Sequence, residues 1–247
     1  MKALVLAAGY GTRLYPLVQN TAKPLLPVGN RPLIDYILDE IHAIPDLREV
    51  LVVTNNKFCG DFEKWAAAKK DFSAPIQVIN DGTNSPDDRL GAVGDIHFVL
   101  KNYPPGDDLL VVGGDNLFDF DLKGFITFAK VKVPAVSIGV YDIAGREDAR
   151  KFGVVEMAAD GRIRCFEEKP QQPKSSLIAM CFYYFPQPSF ALMKKYIQES
   201  HMTDKAGDYI HWLTEQGPVY AFPFCGNWYD IGSIETYKEV QEKFKKM

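Results

Sequence analysis

The chain has 247 residues, a formal net charge of −4, 24% charged residues and 47% hydrophobic residues. So small a net charge leaves no broad basic face, so nucleic acid is not expected as a partner and any polyanion has to be bound locally. The length suffices for one large α/β domain or two small ones with a buried core.

No apolar run approaches the roughly 18 to 20 residues needed to span a bilayer, so no membrane association is expected. Lys2 followed by ALVLAAG imitates a secretory signal, but the apolar stretch is short and Gly11-Thr12-Arg13 stands where a cleavage region belongs. The cysteines Cys59, Cys165, Cys181 and Cys225 have no C-x-x-C spacing. Reduced, mostly buried thiols in a cytoplasmic protein are expected.

In chain order, ALVLA (3–7) reads as a buried parallel strand. Pro32 opens a helix whose Leu33, Tyr36, Ile37, Ile41 and Ile44 share a face. EVLVVT (49–54) is a second strand, DFEKWAAAKK a helix, PIQVIN a third strand and GAVGDIHFVLKNY a helix. DLLVVGGDN is an apolar strand ending at Asp115, followed by a helix over 121–130 and the strand AVSIGVY. This alternation predicts an α/β fold, three-layered and Rossmann-like, with a mixed, mostly parallel central sheet.

From about residue 150 the period shortens. GVVEM and RIRCFEE flank Ala159-Asp160-Gly161 as a hairpin, and SLIAMCFYYF is a further strand. Helices follow near 188–200 and 206–216, then PVYAFPF and a strand around Trp228, and Ser233 caps a closing helix. The histidines His42, His97, His201 and His211 make no metal pattern.

The loop after the first strand, LAAGYGTRLYP, sits where an open parallel sheet binds ligands. Gly9 and Gly11 allow backbone N–H groups to approach phosphate oxygens, and Arg13 and Lys23 add cations on a segment stiffened by Pro16, Pro24 and Pro27. Such a loop suits a triphosphate. It is neither G-x-G-x-x-G, since Leu14 replaces the third glycine, nor G-x-x-x-x-G-K-[ST].

The run L-A-A-G-Y-G-T-R-L-Y-P followed by K-P-L-L-P-V-G-N-R-P-L-I resembles the signature of the sugar-phosphate nucleotidyltransferases, among them glucose-1-phosphate thymidylyl- and uridylyltransferases. The resemblance covers nearly the whole chain. It implies a single nucleotidyltransferase domain over 1–247: 1–150 mainly for the nucleotide, a smaller β-rich 151–232 mainly for the sugar phosphate, and 233–247 as a closing helix. It implies that Leu6, Ala8, Gly9, Gly11, Thr12, Arg13, Lys23, Asn84, Arg89 and Asp115 bind the nucleotide. Asp115 in GGDN and Asp230 in WYD would hold Mg²⁺, which needs few protein ligands beside phosphates and water. In FEEKP, Lys169 would hold the sugar 1-phosphate and Glu168 its hydroxyls, with Gly153 of FGVVE and Cys181 lining the same pocket.

There are departures from the pattern. The family's P-x-T is Pro16-Leu17-Val18, the base-reading Gln and Gly fall near Asn84 and Arg89, and Cys181 replaces a glycine. The resemblance also leads to the expectation of a short form without the extra C-terminal helices of the longer thymidylyltransferases.

The implied reaction joins an NTP, UTP or dTTP favoured, to a sugar 1-phosphate, glucose 1-phosphate favoured, giving NDP-sugar and pyrophosphate. Arg13, Lys23, Asp115 and Lys169 are its catalytic residues. Three alternatives stay open: a cytidylyltransferase for another phosphorylated alcohol, a non-catalytic regulatory relative, and a nucleotide-sugar-dependent glycosyltransferase. The last would use a D-x-D, and one occurs at Asp119 and Asp121. A homo-oligomer is compatible with the family, in which dimers and tetramers are common.

Overall fold

The structure, a computed structural model, describes residues 1–200 and 204–244. The elements run β1 (Lys2–Leu6), 3-10 turns at Thr12–Leu14 and Lys23–Leu25, β2 (Pro27–Val28), β3 (Arg31–Pro32), α1 (Leu33–His42) and β4 (Glu49–Thr54). Then come α2 (Cys59–Ala67), β5 (Ile76–Asn80), α3 (Gly91–Asn102), β6 (Leu109–Gly113), β7 (Asn116–Phe118), α4 (Lys123–Lys132) and β8 (Val136–Asp142). The second half holds α5 (Arg146–Ala149), β9 (Gly153–Met157), β10 (Ile163–Glu168), β11 (Leu177–Phe185), α6 (Phe190–Ser200), α7 (Ala206–Gln216), β12 (Val219–Phe224), β13 (Trp228–Asp230) and α8 (Ile234–Phe244). The fold is α/β with mixed sheet pairing and flanking helices, as the alternation predicts. No helix among the described residues is long and apolar enough to cross a membrane.

Two compact units interleave along the chain. The first takes Met1–Leu90, Val112–Leu122 and Gly226–Met247; the second takes Gly91–Val111 and Lys123–Cys225.

In the first unit β1 pairs in parallel with β4 from Lys2↔Glu49 to Leu6↔Val53, and β4 with β5 from Val50↔Ile76 to Thr54↔Asn80. Their near-continuous Val/Leu/Ile runs are what a strand covered on both faces requires. Helix α1 buries Leu33, Ile34, Ile37, Leu38 and Ile41. A second apolar cluster gathers Leu14, Val18, Leu26, Val28 and Leu33 with Leu117, Ile231, Tyr237 and Val240. It fastens the start of the chain to α8, whose Ser233 Oγ accepts from Thr236 N at 3.2 Å as the expected cap. The expected closing helix over 233–247 is observed as Ile234–Phe244, and 245–247 lie outside the described residues, as does His201.

In the second unit β9 and β10 form the expected antiparallel hairpin. Strand β8 continues the apolar pattern of the earlier strands, yet it lies antiparallel to β11 and parallel to β12. Pairing direction depends on distant partners and is not written in the apolar run itself. The FYYF segment of β11 is buried throughout, from Phe182 to Phe185.

The thiols correct the expectation of burial. Cys59, Cys165 and Cys181 are only partly covered, and Cys225, just past the end of β12, is exposed; all four are free.

Gly139 in β8 is closely packed, since a Cβ there would lie 2.6 Å from Phe224 Cε2 and 3.0 Å from Phe182 Cβ. Gly139→Ala is expected to destabilise the fold by about 1–3 kcal/mol through overpacking, read as a lower denaturant midpoint with an unchanged slope.

Candidate active site

In the first unit β1 delivers Ala7, Ala8 and Gly9 to its carboxyl end and the chain then turns at Thr12–Leu14. Two glycines here differ in kind. Gly11 has φ 60° and a Cβ on it would lie 3.2 Å from Val18 Cγ2, so the backbone itself demands glycine. Gly9 is exposed and a Cβ would meet nothing within 4 Å. Packing within the chain therefore gives no reason for glycine at position 9. Thr12 and Arg13 are exposed beside it. Val18, which stands where the resemblance leads one to expect threonine, is 1% exposed and packs beneath the loop. The missing hydroxyl is replaced by core.

Lys23 opens the second 3-10 turn, and its Nζ lies 2.7 Å from Asp115 Oδ2. The lysine side chain is 11% exposed and the aspartate 37%, so the pair is covered on the lysine side and open on the carboxylate side. Asn116, buried, donates from Nδ2 to Asp115 Oδ1 at 3.0 Å and to Gly113 O at 3.2 Å, and its Oδ1 accepts from Trp228 Nε1 at 2.7 Å. Strands β7 and β13 pair antiparallel with Asp230 opposite Asn116, and Ile231 N donates to Asp115 O at 3.0 Å. The two aspartates expected to share a metal thus sit on adjoining positions of one small ribbon. Burial alone would raise the Asp115 carboxyl, but the Lys23 ammonium, with Arg13 behind it, holds it below its ordinary value.

No group of three or more His, Cys, Asp or Glu among the described residues is arranged to hold a metal. A pair of carboxylates from one ribbon nonetheless suits Mg²⁺, which takes few protein ligands and completes its shell with phosphate and water.

Asn84 and Arg89 lie in the loop after β5, also in the first unit. The Asn84 amide is closed into a ring: Asn80 Nδ2 donates to Asn56 Oδ1 (3.0 Å), Asn56 Nδ2 to Asn84 Oδ1 (2.8 Å), and Asn84 Nδ2 to Gly82 O (3.1 Å). Gly82 N returns to Asn80 Oδ1 at 2.9 Å. Arg89 is exposed and donates to Pro86 O at 2.8 Å.

In the second unit Glu168 ends β10 directly opposite Gly153 of β9. Cross-strand neighbours share a face and alternate residues return to it, so Ala179 of β11 belongs to the same face, given the register Ile178↔Val154, while the register of β11 shifts between Ala179 and Tyr183, the stretch that holds Cys181. The Glu168 side chain is 16% exposed, and a Cβ on Gly207 of α7 would fall inside the envelope of its Oε2. Burial pushes the Glu168 carboxyl up, opposed by Lys169, seconded by Asp208 and opposed again by Lys205. Lys169 has φ 48° and half-exposes its side chain, with Nζ 3.8 Å from Glu168 Oε1. Gly153, Glu168 and Lys169 are therefore brought to one strand-end region of this unit, and Cys181 follows Ala179 by two residues on the neighbouring β11. Sequence reasoning missed Asn116, Trp228, Gly207 and Asp208. Asn116 and Trp228 lie inside the quoted GGDN and WYD motifs, while Gly207 and Asp208 signal only through three-dimensional packing.

A strand-end glycine loop and a largely covered lysine paired to an aspartate stand on an α/β scaffold, and the comparisons with known proteins identify the class. The chain matches the model of the nucleotidyl transferase family over residues 2–247 and belongs to that family. A glucose-1-phosphate adenylyltransferase of Clostridium novyi (strain NT) is 32% identical over 251 aligned residues, which cover 96% of this chain and 64% of that protein. The chain thus spans just under two thirds of that relative's length. Among solved structures, a Bacillus anthracis protein provisionally described as a glucose-1-phosphate thymidylyltransferase, crystallised with sucrose, has the same fold. It superposes with a TM-score of 0.85 at 23% identity, covering 100% of this chain and 96% of that one.

Two outcomes are expected from this geometry. Gly9→Ala should leave unfolding stability within about 0.5 kcal/mol of the parent while weakening binding of Mg–nucleotide, read by denaturation and calorimetric titration. For Asp115, a carboxyl lowered in the folded chain stabilises it above the unfolded value, and that contribution is lost as pH falls through the folded value. The stability gap between the parent and Asp115→Asn should therefore be constant from neutrality to about pH 5 and shrink by about pH 3, as measured by urea titrations across that range.

Proposed function

We propose that the protein is a nucleotidyltransferase that joins a nucleoside triphosphate to a sugar 1-phosphate, releasing pyrophosphate. The observation that carries this reading is the buried Lys23, ion-paired at 2.7 Å to a partly open Asp115, in the same unit as a glycine loop with unfilled space over Gly9. A phosphate oxygen of the sugar phosphate attacks the α-phosphorus in line. That oxygen is already anionic near neutrality, so the step needs alignment and charge compensation rather than a general base.

The cradle from Leu6 to Arg13 holds the triphosphate through backbone N–H groups. Arg13 neutralises the departing pyrophosphate and Lys23 the α-phosphate side. Lys169 anchors the attacking phosphate, and Glu168 accepts hydroxyl protons of the sugar beside Gly153 and Cys181. Mg²⁺ is the expected ion, held by Asp115 and Asp230, and when bound it supplies charge compensation on the phosphates.

Glucose 1-phosphate is the acceptor to try first, since it appears in the names of both relatives. For the base, the resemblance favours UTP or dTTP, but the amide of Asn84, near the expected base-reading position, already bonds Asn56 and Gly82. ATP therefore joins them, as the name of the adenylyltransferase relative suggests.

The test is pyrophosphate release with Mg²⁺, crossing ATP, UTP, dTTP, CTP and GTP with sugar 1-phosphates, phosphocholine and inositol phosphate. Release requiring both substrates is expected; a folded protein that binds NTP yet releases nothing from any pair would overturn the assignment in favour of a regulatory relative. Asp115→Ala, Asp230→Ala and Lys169→Ala should each lower turnover by about 10²-fold or more with little change in the far-ultraviolet circular dichroism.

A further inference from the structure

Three consecutive carbonyls leading into the glycine loop are each engaged from within the first unit. Leu6 O accepts from Gly114 N at 2.9 Å, Ala7 O from Thr54 Oγ1 at 3.3 Å, and Ala8 O from Asn55 Nδ2 at 2.9 Å. Thr54 and Asn55 lie at the carboxyl end of β4, beside β1, and both are 0% exposed. The orientation of the Asn55 amide is itself determined, because its Oδ1 accepts from Phe58 N at 3.2 Å.

In a trans peptide the carbonyl and the following N–H point in opposite directions. The first of the three peptides bears this out: Leu6 O turns to Gly114, and Ala7 N donates the other way, to Val53 O at 2.8 Å. The third peptide obeys the same geometry. With Ala8 O drawn inward to Asn55, the N–H of Gly9 points away from Asn55, and among the described residues no acceptor within the chain takes it. A Cβ added to Gly9 would meet nothing within 4 Å.

We propose that Asn55, seconded by Thr54, is a positioning residue of the nucleotide site: it locks the Ala8–Gly9 peptide so that the Gly9 N–H is presented to a phosphate oxygen of the bound triphosphate. The inference rests on the reading of the loop as a triphosphate cradle. A rotated peptide would offer a carbonyl to an anion in place of a donor. A side chain that forbids the rotation removes an ordering cost from binding and holds the donor ready for the charge that develops.

The experiment compares the full chain with Asn55→Asp, Thr54→Val and Thr54→Ser. Asn55→Asp keeps an oxygen for Phe58 N and replaces the donor facing Ala8 O by an acceptor; Thr54→Val keeps the shape and loses the hydroxyl; Thr54→Ser keeps the hydroxyl and loses a methyl. Binding of the Mg²⁺ complexes of ATP, UTP and dTTP is titrated calorimetrically, melting is followed without ligand, and KM is measured for each substrate.

The expected result is a loss of nucleotide affinity of about tenfold or more in Asn55→Asp and a smaller loss in Thr54→Val. Thr54→Ser should bind as the parent does, and the KM for glucose 1-phosphate should stay unchanged in all three. Parent-like nucleotide binding in Asn55→Asp and Thr54→Val, whatever their melting temperatures, would sink the proposal and leave both residues a purely structural role. Should Asn55→Asp not fold, the Thr54 pair decides: an affinity loss that tracks the methyl rather than the hydroxyl overturns it. If the parent itself binds none of the nucleotides, the cradle reading fails together with the inference built on it.

Discussion

The ion pair between Lys23 and Asp115 joins residues 92 positions apart and organises the first unit around itself. A lysine only 11% exposed is costly unless a partner compensates its charge. The backbone pays the geometric side of that arrangement at Gly114, where a Cβ would lie 2.7 Å from Leu6 O and 2.9 Å from Pro24 Cγ. The end of β1, the turn that carries Lys23 and the GGDN segment thus converge on a point that admits no side chain. The same convergence gives Gly114 N its acceptor in Leu6 O. Once these three segments meet, the loop after β1 has a fixed origin, and the positions of Gly9 and Arg13 relative to the carboxylate follow from covalent geometry.

The second unit answers a similar problem with the opposite sign. Glu168 is a carboxylate that the fold partly desolvates, with Gly153 facing it across the hairpin and Gly207 pressed against its Oε2. Its pKa is raised chiefly by that burial. A carboxylate in poor solvent makes a stronger hydrogen bond with a neutral hydroxyl than an exposed one does, which suits a polyhydroxylated ligand. The nearby lysines, 169 and 205, oppose the shift and keep the charged form accessible.

Much of this was legible in the residues. The apolar runs of β1, β4 and β6, the amphipathic face of α1, the glycine loop and the Ser233 cap each follow from local rules of periodicity and capping, and each is found within a residue or two of its expected bounds. What escaped depends on partners distant in sequence. That β8 would run antiparallel to β11 follows from the pairing and not from its own composition. Val18 reads as a lost hydroxyl in the sequence and as a buried strut beneath Gly11 in the structure. Gly207 looks like an ordinary helix-start glycine until Glu168 is seen against it. Asn84 has the right chemistry for a pyrimidine edge, but its amide already bonds Asn56 and Gly82, which no spacing rule reveals.

The pairing of Lys23 with a carboxylate bears on how such a site would handle highly charged substrates. An isolated, largely covered ammonium would bind a phosphate tightly and release it slowly. Paired with Asp115, it is held aligned at little cost in side-chain entropy, and an incoming phosphate adds a second anion beside the pair. On the proposed reading the ion arriving on Asp115 and Asp230 restores the balance, so that carboxylate, ammonium, metal and phosphate alternate in sign. Binding of nucleotide and of metal is then mutually dependent by electrostatics alone, because either one arriving without the other leaves uncompensated charge beside a side chain that water barely reaches.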